Sequence, residues 1–112
     1  MTKYLFLYRN PPSPDAPQPS PEDMQKIFAQ WTNWKEKFKE HVTELGDGLK
    51  PGGKILAAGQ VTDGPFAESK EIIGGYSVIS AESYEKALEV AKECPANLMP
   101  GAVIEIREMM GY

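Results

Sequence analysis

Histidine and cysteine are each represented by a single residue in this 112-residue chain, His41 and Cys94. One cysteine cannot form an internal disulfide, and a lone thiol is typical of a reducing compartment, so we expect a cytoplasmic location. One histidine cannot build a multi-histidine metal site within one chain. No Cys/His metal spacing, glycine-rich phosphate loop or Ser-His-Asp pattern occurs either. We therefore expect no metal and no cofactor.

Long apolar runs and an excess of positive charge are also missing. No stretch approaches the roughly 18 apolar residues of a membrane span. The apolar start of the chain reaches Arg9 too soon for a signal peptide. The formal net charge is −4, and an acidic chain is repelled by nucleic-acid phosphates. We therefore expect neither a membrane nor a nucleic acid as partner.

The hydrophobic pattern predicts the element order β-α-β-β-α-β within one domain that spans residues 1–112. Strands are predicted at 3–9, 54–61, 71–79 and 102–109, and helices at 21–45 and 81–93. Six prolines within residues 10–21 predict a stiff, extended loop before the first helix. This order is typical of an α+β, ferredoxin-like fold, in which an antiparallel sheet carries both helices on one face.

Local signals support these boundaries. Ser20 is a natural N-cap for the first helix, and Pro21 suits its first position. Ser80 is the predicted N-cap of the second helix, which Pro95 stops. Two adjacent glycines, Gly74 and Gly75, interrupt the third predicted strand. Glycines within a strand indicate a bulge or the close approach of another backbone.

The second face of such a sheet is left uncovered by a single chain. We expect Tyr8, Tyr76 and Val78 to line it, joined by Val103, Glu105 and Arg107. An apolar face of this kind favours either a small ligand or a second sheet. We therefore expect a homodimer, because two-fold pairing is the default for a self-complementary surface.

The most distinctive segment is residues 61–71, VTDGPFAESKE, followed by Gly74-Gly75-Tyr76. Its Asp-Gly-Pro-Phe, Glu-Ser-Lys-Glu and Gly-Gly-Tyr motifs resemble the signature of DGPF-domain proteins, a branch of the YciI-like, YCII-related family. An aromatic first strand, the Trp31-x-x-Trp34 helix and Cys94-Pro95 extend the likeness over most of the chain. The resemblance implies a ferredoxin-like fold that pairs into a dimeric α/β barrel.

The resemblance leaves two hypotheses for function. Some relatives in the wider YciI group are enzymes acting on small organic molecules, and a His–Asp pair has been proposed as their active site. Some DGPF-type relatives sit beside, or are fused to, transcription sigma factors. The first hypothesis is therefore a barrel cavity that binds a small organic molecule, with cofactor-independent acid–base catalysis. The second is a non-catalytic regulatory or protein-interaction module linked to transcription regulation.

Asp63 and His41 are the candidate catalytic residues. Asp63 can act as a general base if desolvation raises its pKa, or it can serve only as the Asp of an Asp-Gly-Pro turn. His41 matches the histidine of the wider family by approximate position only. Its alternative role is to cap the C-terminal end of the first helix, which favours a cation.

Other residues are candidates for ligand binding rather than chemistry. Trp31 and Trp34, at helical spacing, are interpreted as core residues. Cys94 is not expected to be a nucleophile, because the C-terminal end of a helix raises a thiol pKa. Arg9 can bind a carboxylate bidentately or anchor the proline-rich loop. The candidate ligand-binding residues are Arg9, Pro65, Phe66, Glu68, Lys70 and Tyr76.

Overall fold

The computed structural model describes residues 1–10, 20–50, 52–64, 72–99 and 101–112. Strands and helices follow one another along these ranges with only short connections. In chain order they are β1 (Thr2–Asn10), α1 (Pro21–Lys37), β2 (Val42–Glu44), β3 (Gly53–Ala57), β4 (Gln60–Gly64), β5 (Ile72–Ala81), α2 (Tyr84–Lys92), a short 3₁₀ helix (Pro95–Leu98) and β6 (Val103–Glu108).

A four-stranded antiparallel sheet forms the centre of the fold, with the strand order β2-β5-β1-β6. Both helices pack on one face of it. The ring of Tyr8 contacts Trp31 of α1, and the ring of Tyr4 contacts Tyr84 of α2. The indole Nε1 of Trp34 donates a hydrogen bond of 2.9 Å to the Val90 carbonyl and so ties α1 to α2. This arrangement is consistent with the predicted ferredoxin-like fold.

Helix α1 begins where the sequence predicts and ends eight residues earlier. The Ser20 hydroxyl accepts a hydrogen bond from the Asp23 amide, which confirms the predicted N-cap. The predicted C-terminal end at residue 45 is wrong, because the helix stops at Lys37. Val42 instead pairs with Ile79 in the sheet, where it is buried. β-Branched residues pack well on a pleated sheet, so the tertiary contact outweighs the helical periodicity.

The prediction of one sheet strand at 54–61 is wrong, because this segment forms most of a two-stranded hairpin that lies outside the main sheet. Strands β3 and β4 pair only with each other in the described sheets. The two residues between them, Ala58 and Gly59, have φ angles of 49° and 79°. Two consecutive left-handed residues form the tight turn that matches the twist of an antiparallel hairpin. The strand that lies beside β5 in the sheet is the much shorter β2.

Strand β5 confirms the predicted third strand and runs past its predicted end. It continues to Ala81, so the predicted N-cap at Ser80 is wrong and Ser83 caps α2 instead. The glycine pair behaves as predicted in both respects. The register against β1 shifts at Gly74, and a side chain on Gly75 would lie 3.0 Å from the Asp47 carbonyl oxygen. The segment after β2 therefore approaches β5 at backbone distance.

Alternation along the strands separates a covered face from an open face. The aromatic residues of β1 (Tyr4, Phe6 and Tyr8) are buried beneath the helices, so the prediction that Tyr8 lines the open face is wrong. The open face carries the residues that alternate with the buried ones: Leu5, Leu7, Arg9, Tyr76, Val78, Val103, Glu105 and Arg107. Of the six residues predicted there, only Tyr8 lies elsewhere.

Candidate functional site

Asp63 lies on β4, directly opposite Lys54 on β3. The two side chains form an ion pair, and the side chain of Asp63 remains 87% exposed. An exposed pair of this kind contributes little to stability. Asp63 therefore lies in the ladder of a hairpin, and the described part of the chain leaves its carboxylate exposed.

The four other candidates from the DGPF segment follow Asp63 along the chain. Pro65, Phe66, Glu68 and Lys70 lie outside the described residues. Their predicted role in ligand binding stays a prediction.

His41 lies between α1 and β2 and is partly buried. Its Nδ1 is 2.9 Å from the carbonyl oxygen of Ser80 on β5, and the Ser80 amide donates to the carbonyl of His41 at 2.7 Å. Nδ1 therefore donates to a strand carbonyl and does not cap the end of α1. Among the described residues no contact joins His41 to Asp63, so a His–Asp pair is not assembled by these contacts.

Arg9 lies on the open face and binds a carboxylate, that of Glu105. Its Nη1 donates to Glu105 Oε1 at 2.8 Å. Arg107, two residues further along β6 on the same face, donates from Nη1 to Glu105 Oε2 at 3.4 Å. One carboxylate thus lies between two guanidinium groups. We call Arg9, Glu105 and Arg107 the arginine cluster.

Tyr76 occupies the other side of the open face. Its hydroxyl donates to Glu44 Oε1 of β2 at 3.3 Å. The charge of Glu44, together with this hydrogen bond, raises the pKa of Tyr76, so the phenol stays protonated and remains a donor.

An apolar strip separates this pair from the arginine cluster. Leu5 lies between Val78 and Arg107 in the strand register, and Leu7 lies between Tyr76 and Glu105. Neighbouring strands are about 4.8 Å apart, so the backbones of the flanking strands β5 and β6 lie about 10 Å apart across the strip. The open face therefore combines an apolar floor with cationic groups on one side and a phenol–carboxylate pair on the other. This is the polarity of a site for a small amphiphilic molecule.

Beneath the sheet, a buried polar network links β1, β5 and the end of α2. The Tyr8 hydroxyl donates to Ser77 Oγ at 2.7 Å, and Ser77 donates to the Leu45 carbonyl at 2.5 Å. Cys94 Sγ lies 3.6 Å from the Tyr8 oxygen. Burial raises the pKa of Tyr8 and of Cys94, which keeps both groups protonated. The prediction that Cys94 is not a nucleophile agrees with this environment.

Sequence reasoning did not identify this network. The signal available to it was Ser77, a small polar residue at an inward position between Gly75 and Ile79. A buried hydroxyl at such a position requires a hydrogen-bond partner.

A groove of about 340 Å³ lies on the helix side, lined among others by Trp34, Lys37, Cys94 and Leu98. Its polar groups hold the helices together. Lys37 pairs with Glu93, and the Asn97 amide donates to the carbonyls of Ala91 and Cys94. Trp34 is buried and Trp31 packs against the core, as predicted.

Within the described ranges, no group of three or more His, Cys, Asp or Glu side chains is arranged to hold a metal ion. Neither helix in those ranges combines the length and the apolar composition needed to cross a membrane.

Comparison with known proteins gives a family match and similarity to solved structures. The sequence model of the family described as YCII-related domain matches residues 15–110. Among solved structures, the chain is similar to 5-chloro-2-hydroxyhydroquinone dehydrochlorinase from Burkholderia phenoliruptrix AC1100, in complex with 2,5-dihydroxybenzoquinone. That similarity has 21% sequence identity and a TM-score of 0.40, and it covers 90% of each chain. A search of curated proteins found no match.

Proposed function

Because this chain belongs to the YCII-related domain family, we propose that it binds a small organic molecule in a cavity that forms when two copies pair through their open faces. The observation that carries the proposal is the polarity of the open face. An apolar floor of Leu5, Leu7 and Val78 lies between the arginine cluster and the Tyr76–Glu44 pair. The motifs of residues 61–76 support placement in the DGPF branch.

The way the helices cover the sheet supports the pairing. They contact the face that carries Tyr4 and Tyr8, whereas the apolar side chains of the open face (Leu5, Leu7 and Val78) are only partly buried. The apolar residues of the open face therefore lack a cover from the described part of their own chain. Burying apolar surface is favourable by roughly 25 cal/mol per Å², and two sheets pack at about 10 Å. A two-fold homodimer satisfies both conditions and encloses the arginine cluster.

Catalysis is the finer part of this proposal, with Asp63 as the general base and His41 as its candidate partner. A carboxylate becomes an effective base only when water is withdrawn from it. Asp63 is 87% exposed in the described part of the chain, and in this proposal the second copy contributes the surface that covers it. Pro65, Phe66, Glu68 and Lys70 follow on the same segment and remain candidate ligand-binding residues.

We also propose a cytoplasmic location. A reducing, cytoplasmic compartment is supported by the single thiol of Cys94, which lies buried and unpaired with any other cysteine.

A second candidate function is a non-catalytic protein-interaction module. The hairpin favours it, because Leu56 and Val61 face each other across β3 and β4 and are 70% and 63% exposed. Exposed apolar pairs of this kind mark interaction sites. In this alternative the hairpin docks on a different protein and Asp63 has no role in chemistry.

The dimer is tested by one substitution on each side of the sheet. Leu7→Glu places a charge on the open face, and Leu88→Glu places the same charge on the outer side of α2, where Leu88 is 45% exposed. Sedimentation equilibrium should show a dimer for the wild type and for Leu88→Glu, and a monomer near 12.4 kDa for Leu7→Glu. A wild-type protein that stays monomeric at micromolar concentrations refutes the pairing.

Catalysis is tested separately with Asp63→Asn. Because the Lys54–Asp63 pair is exposed, its loss should change the free energy of unfolding by less than about 1 kcal/mol. Ligand binding should persist while turnover is lost. Turnover that survives in Asp63→Asn would remove the base from the proposal and leave the binding site intact.

A further inference from the structure

Arg107 has capacity for hydrogen bonding that the described contacts leave unused. Its side chain is 69% exposed, and in the described part of the chain its one hydrogen bond is the 3.4 Å contact with Glu105. That distance is long for an N–H···O bond. A guanidinium has five N–H donors in a planar fork. Most of the donors of Arg107 therefore have no acceptor in the described part of the chain, and its side chain is exposed on the open face.

The carboxylate of Glu105 binds both arginines, but at unequal distances. Its Oε1 accepts from Arg9 at 2.8 Å, whereas its Oε2 meets Arg107 at 3.4 Å. The carboxylate is thus bound more closely by Arg9. Its effect on Arg107 is chiefly one of orientation, because the two side chains project from the same face of β6, two residues apart.

Pairing of two open faces, on which this inference rests, withdraws water from Arg107. A charged group that loses its water is costly unless it gains a counter-charge with good hydrogen-bond geometry. The register places the floor of Leu5 and Leu7 directly beside Arg107 and Glu105. A molecule lying on that floor presents one end to the guanidinium.

We propose that the ligand of this site is a small organic anion. Its carboxylate or phenolate accepts hydrogen bonds from Arg107, and its apolar body lies on Leu5, Leu7 and Val78. Arg107 is the anchoring residue and Glu105 is a positioning residue that holds the guanidinium over the floor. The backbones of β5 and β6 lie about 10 Å apart across this floor, which suits a body the size of one six-membered ring.

The test uses matched pairs of charged and neutral probes on the full chain: benzoate with benzamide, and cyclohexanecarboxylate with its carboxamide. Isothermal titration calorimetry should show tighter binding of both carboxylates. Arg107→Gln should weaken the carboxylates by roughly 10-fold or more, because charge-assisted hydrogen bonds are lost. The amides should bind as before. Lys35→Gln makes the same change in net charge at an exposed position of helix α1, and it should leave all four affinities unchanged.

Three outcomes overturn the proposal. Equal affinity of the wild type for each carboxylate and its amide removes the anion preference and leaves a neutral small-molecule site. If Arg107→Gln and Lys35→Gln lose equal affinity for the carboxylates, the preference for anions arises from net charge and not from Arg107. A monomeric Arg107→Gln protein in sedimentation equilibrium shows that Arg107 binds a carboxylate of the second copy. A monomeric wild type that binds none of the probes refutes the proposed function itself.

Discussion

Gly46 is the residue whose substitution should damage the fold most for its size. It lies just after β2 with φ of 76°, a conformation that L side chains rarely adopt. A Cβ added there would lie 1.8 Å from the Tyr76 carbonyl oxygen and 2.8 Å from its carbonyl carbon. Both atoms belong to the backbone of β5, so no side-chain rotation relieves the clash.

The expected cost of Gly46→Ala has three parts. The left-handed conformation costs an L residue about 1–2 kcal/mol. Overlap with a packed neighbour costs about 1–3 kcal/mol. The backbone must also separate by about 1.5 Å to reach ordinary contact, which endangers the 3.2 Å hydrogen bond from the Tyr76 amide to the Asp47 carbonyl. We expect a total loss of about 3–6 kcal/mol, a large share of the 5–15 kcal/mol typical of a domain.

Alanine substitutions at two other glycines separate the steric cost from the conformational cost. Gly48→Ala, two residues further along, places its Cβ 3.6 Å from the Gly74 carbonyl oxygen, an ordinary contact, and should cost less than about 1 kcal/mol. Gly59→Ala has the same left-handed conformation, φ 79°, with nothing within 4 Å, and should show the conformational cost alone.

The assay is equilibrium denaturation in urea, followed by the fluorescence of Trp31 and Trp34, which lie in or against the core. The midpoint of Gly46→Ala should fall far below those of the two control variants at an unchanged m-value, which reports a change in stability rather than in compactness. If Gly46→Ala and Gly48→Ala unfold at the same midpoint, the argument from backbone contact with Tyr76 is wrong.

Two further predictions concern the buried groups. Because burial raises the pKa of Tyr8 above its ordinary 10.0, the unfolded chain loses that proton first, and stability should fall as the pH rises above about 10. Tyr8→Phe should flatten this fall by up to about 1.4 kcal/mol per pH unit, measured by urea denaturation between pH 9 and 11; an unchanged slope would contradict the assignment. Trp34→Phe should cost about 1–3 kcal/mol, because the Val90 carbonyl loses its 2.9 Å hydrogen bond. Trp31→Phe should cost less, since Trp31 has no indole hydrogen bond in the described chain, and equal losses would argue against the role of that bond.

Local chemistry made much of the fold predictable. Ser20 and Pro21 predicted the start of α1. Gly74-Gly75 indicated a bulge or the close approach of another backbone, and both are found, because a side chain at Gly75 would not fit that approach. The alternation around Ile104 and Ile106 placed β6 within one residue at each end. In each case the signal lies within a few residues of the feature it predicts.

The errors arose where a contact between residues far apart in sequence decides between two secondary structures that the local sequence allows. Val42 continues the helical spacing of Phe38, and only its pairing with Ile79 shows that it belongs to a strand. The predicted strand at 54–61 runs through Ala58 and Gly59, whose left-handed conformations form the hairpin turn. Ala is not typical of such a turn, so the local sequence signals it poorly. Which side of β1 the helices cover was equally open to sequence reasoning, since Leu5 and Leu7 are apolar too.

The candidate site was predictable in its residues more than in its geometry. Arg9 and Tyr76 were candidate ligand-binding residues from the sequence, and Glu105 and Arg107 were predicted to join the open face. Their arrangement around one apolar strip depends on the register of β1 with β5 and β6, which joins residues about 70 to 100 positions apart. The contact between Arg9 and Glu105 depends on that register, whereas the contact of Arg107 with Glu105 follows from alternation along β6.

The shortness of β2 has a consequence for how the protein avoids aggregation. Outer strands of a sheet present unpaired amides and carbonyls that can recruit another chain and extend the sheet indefinitely. Here one outer strand has three residues, Val42–Glu44, and the other, β6, carries the charges of Glu105, Arg107 and Glu108. A short strand and a charged strand both resist lateral growth. In the proposed dimer, self-association uses the open face of the sheet instead, where a two-fold contact closes after two copies.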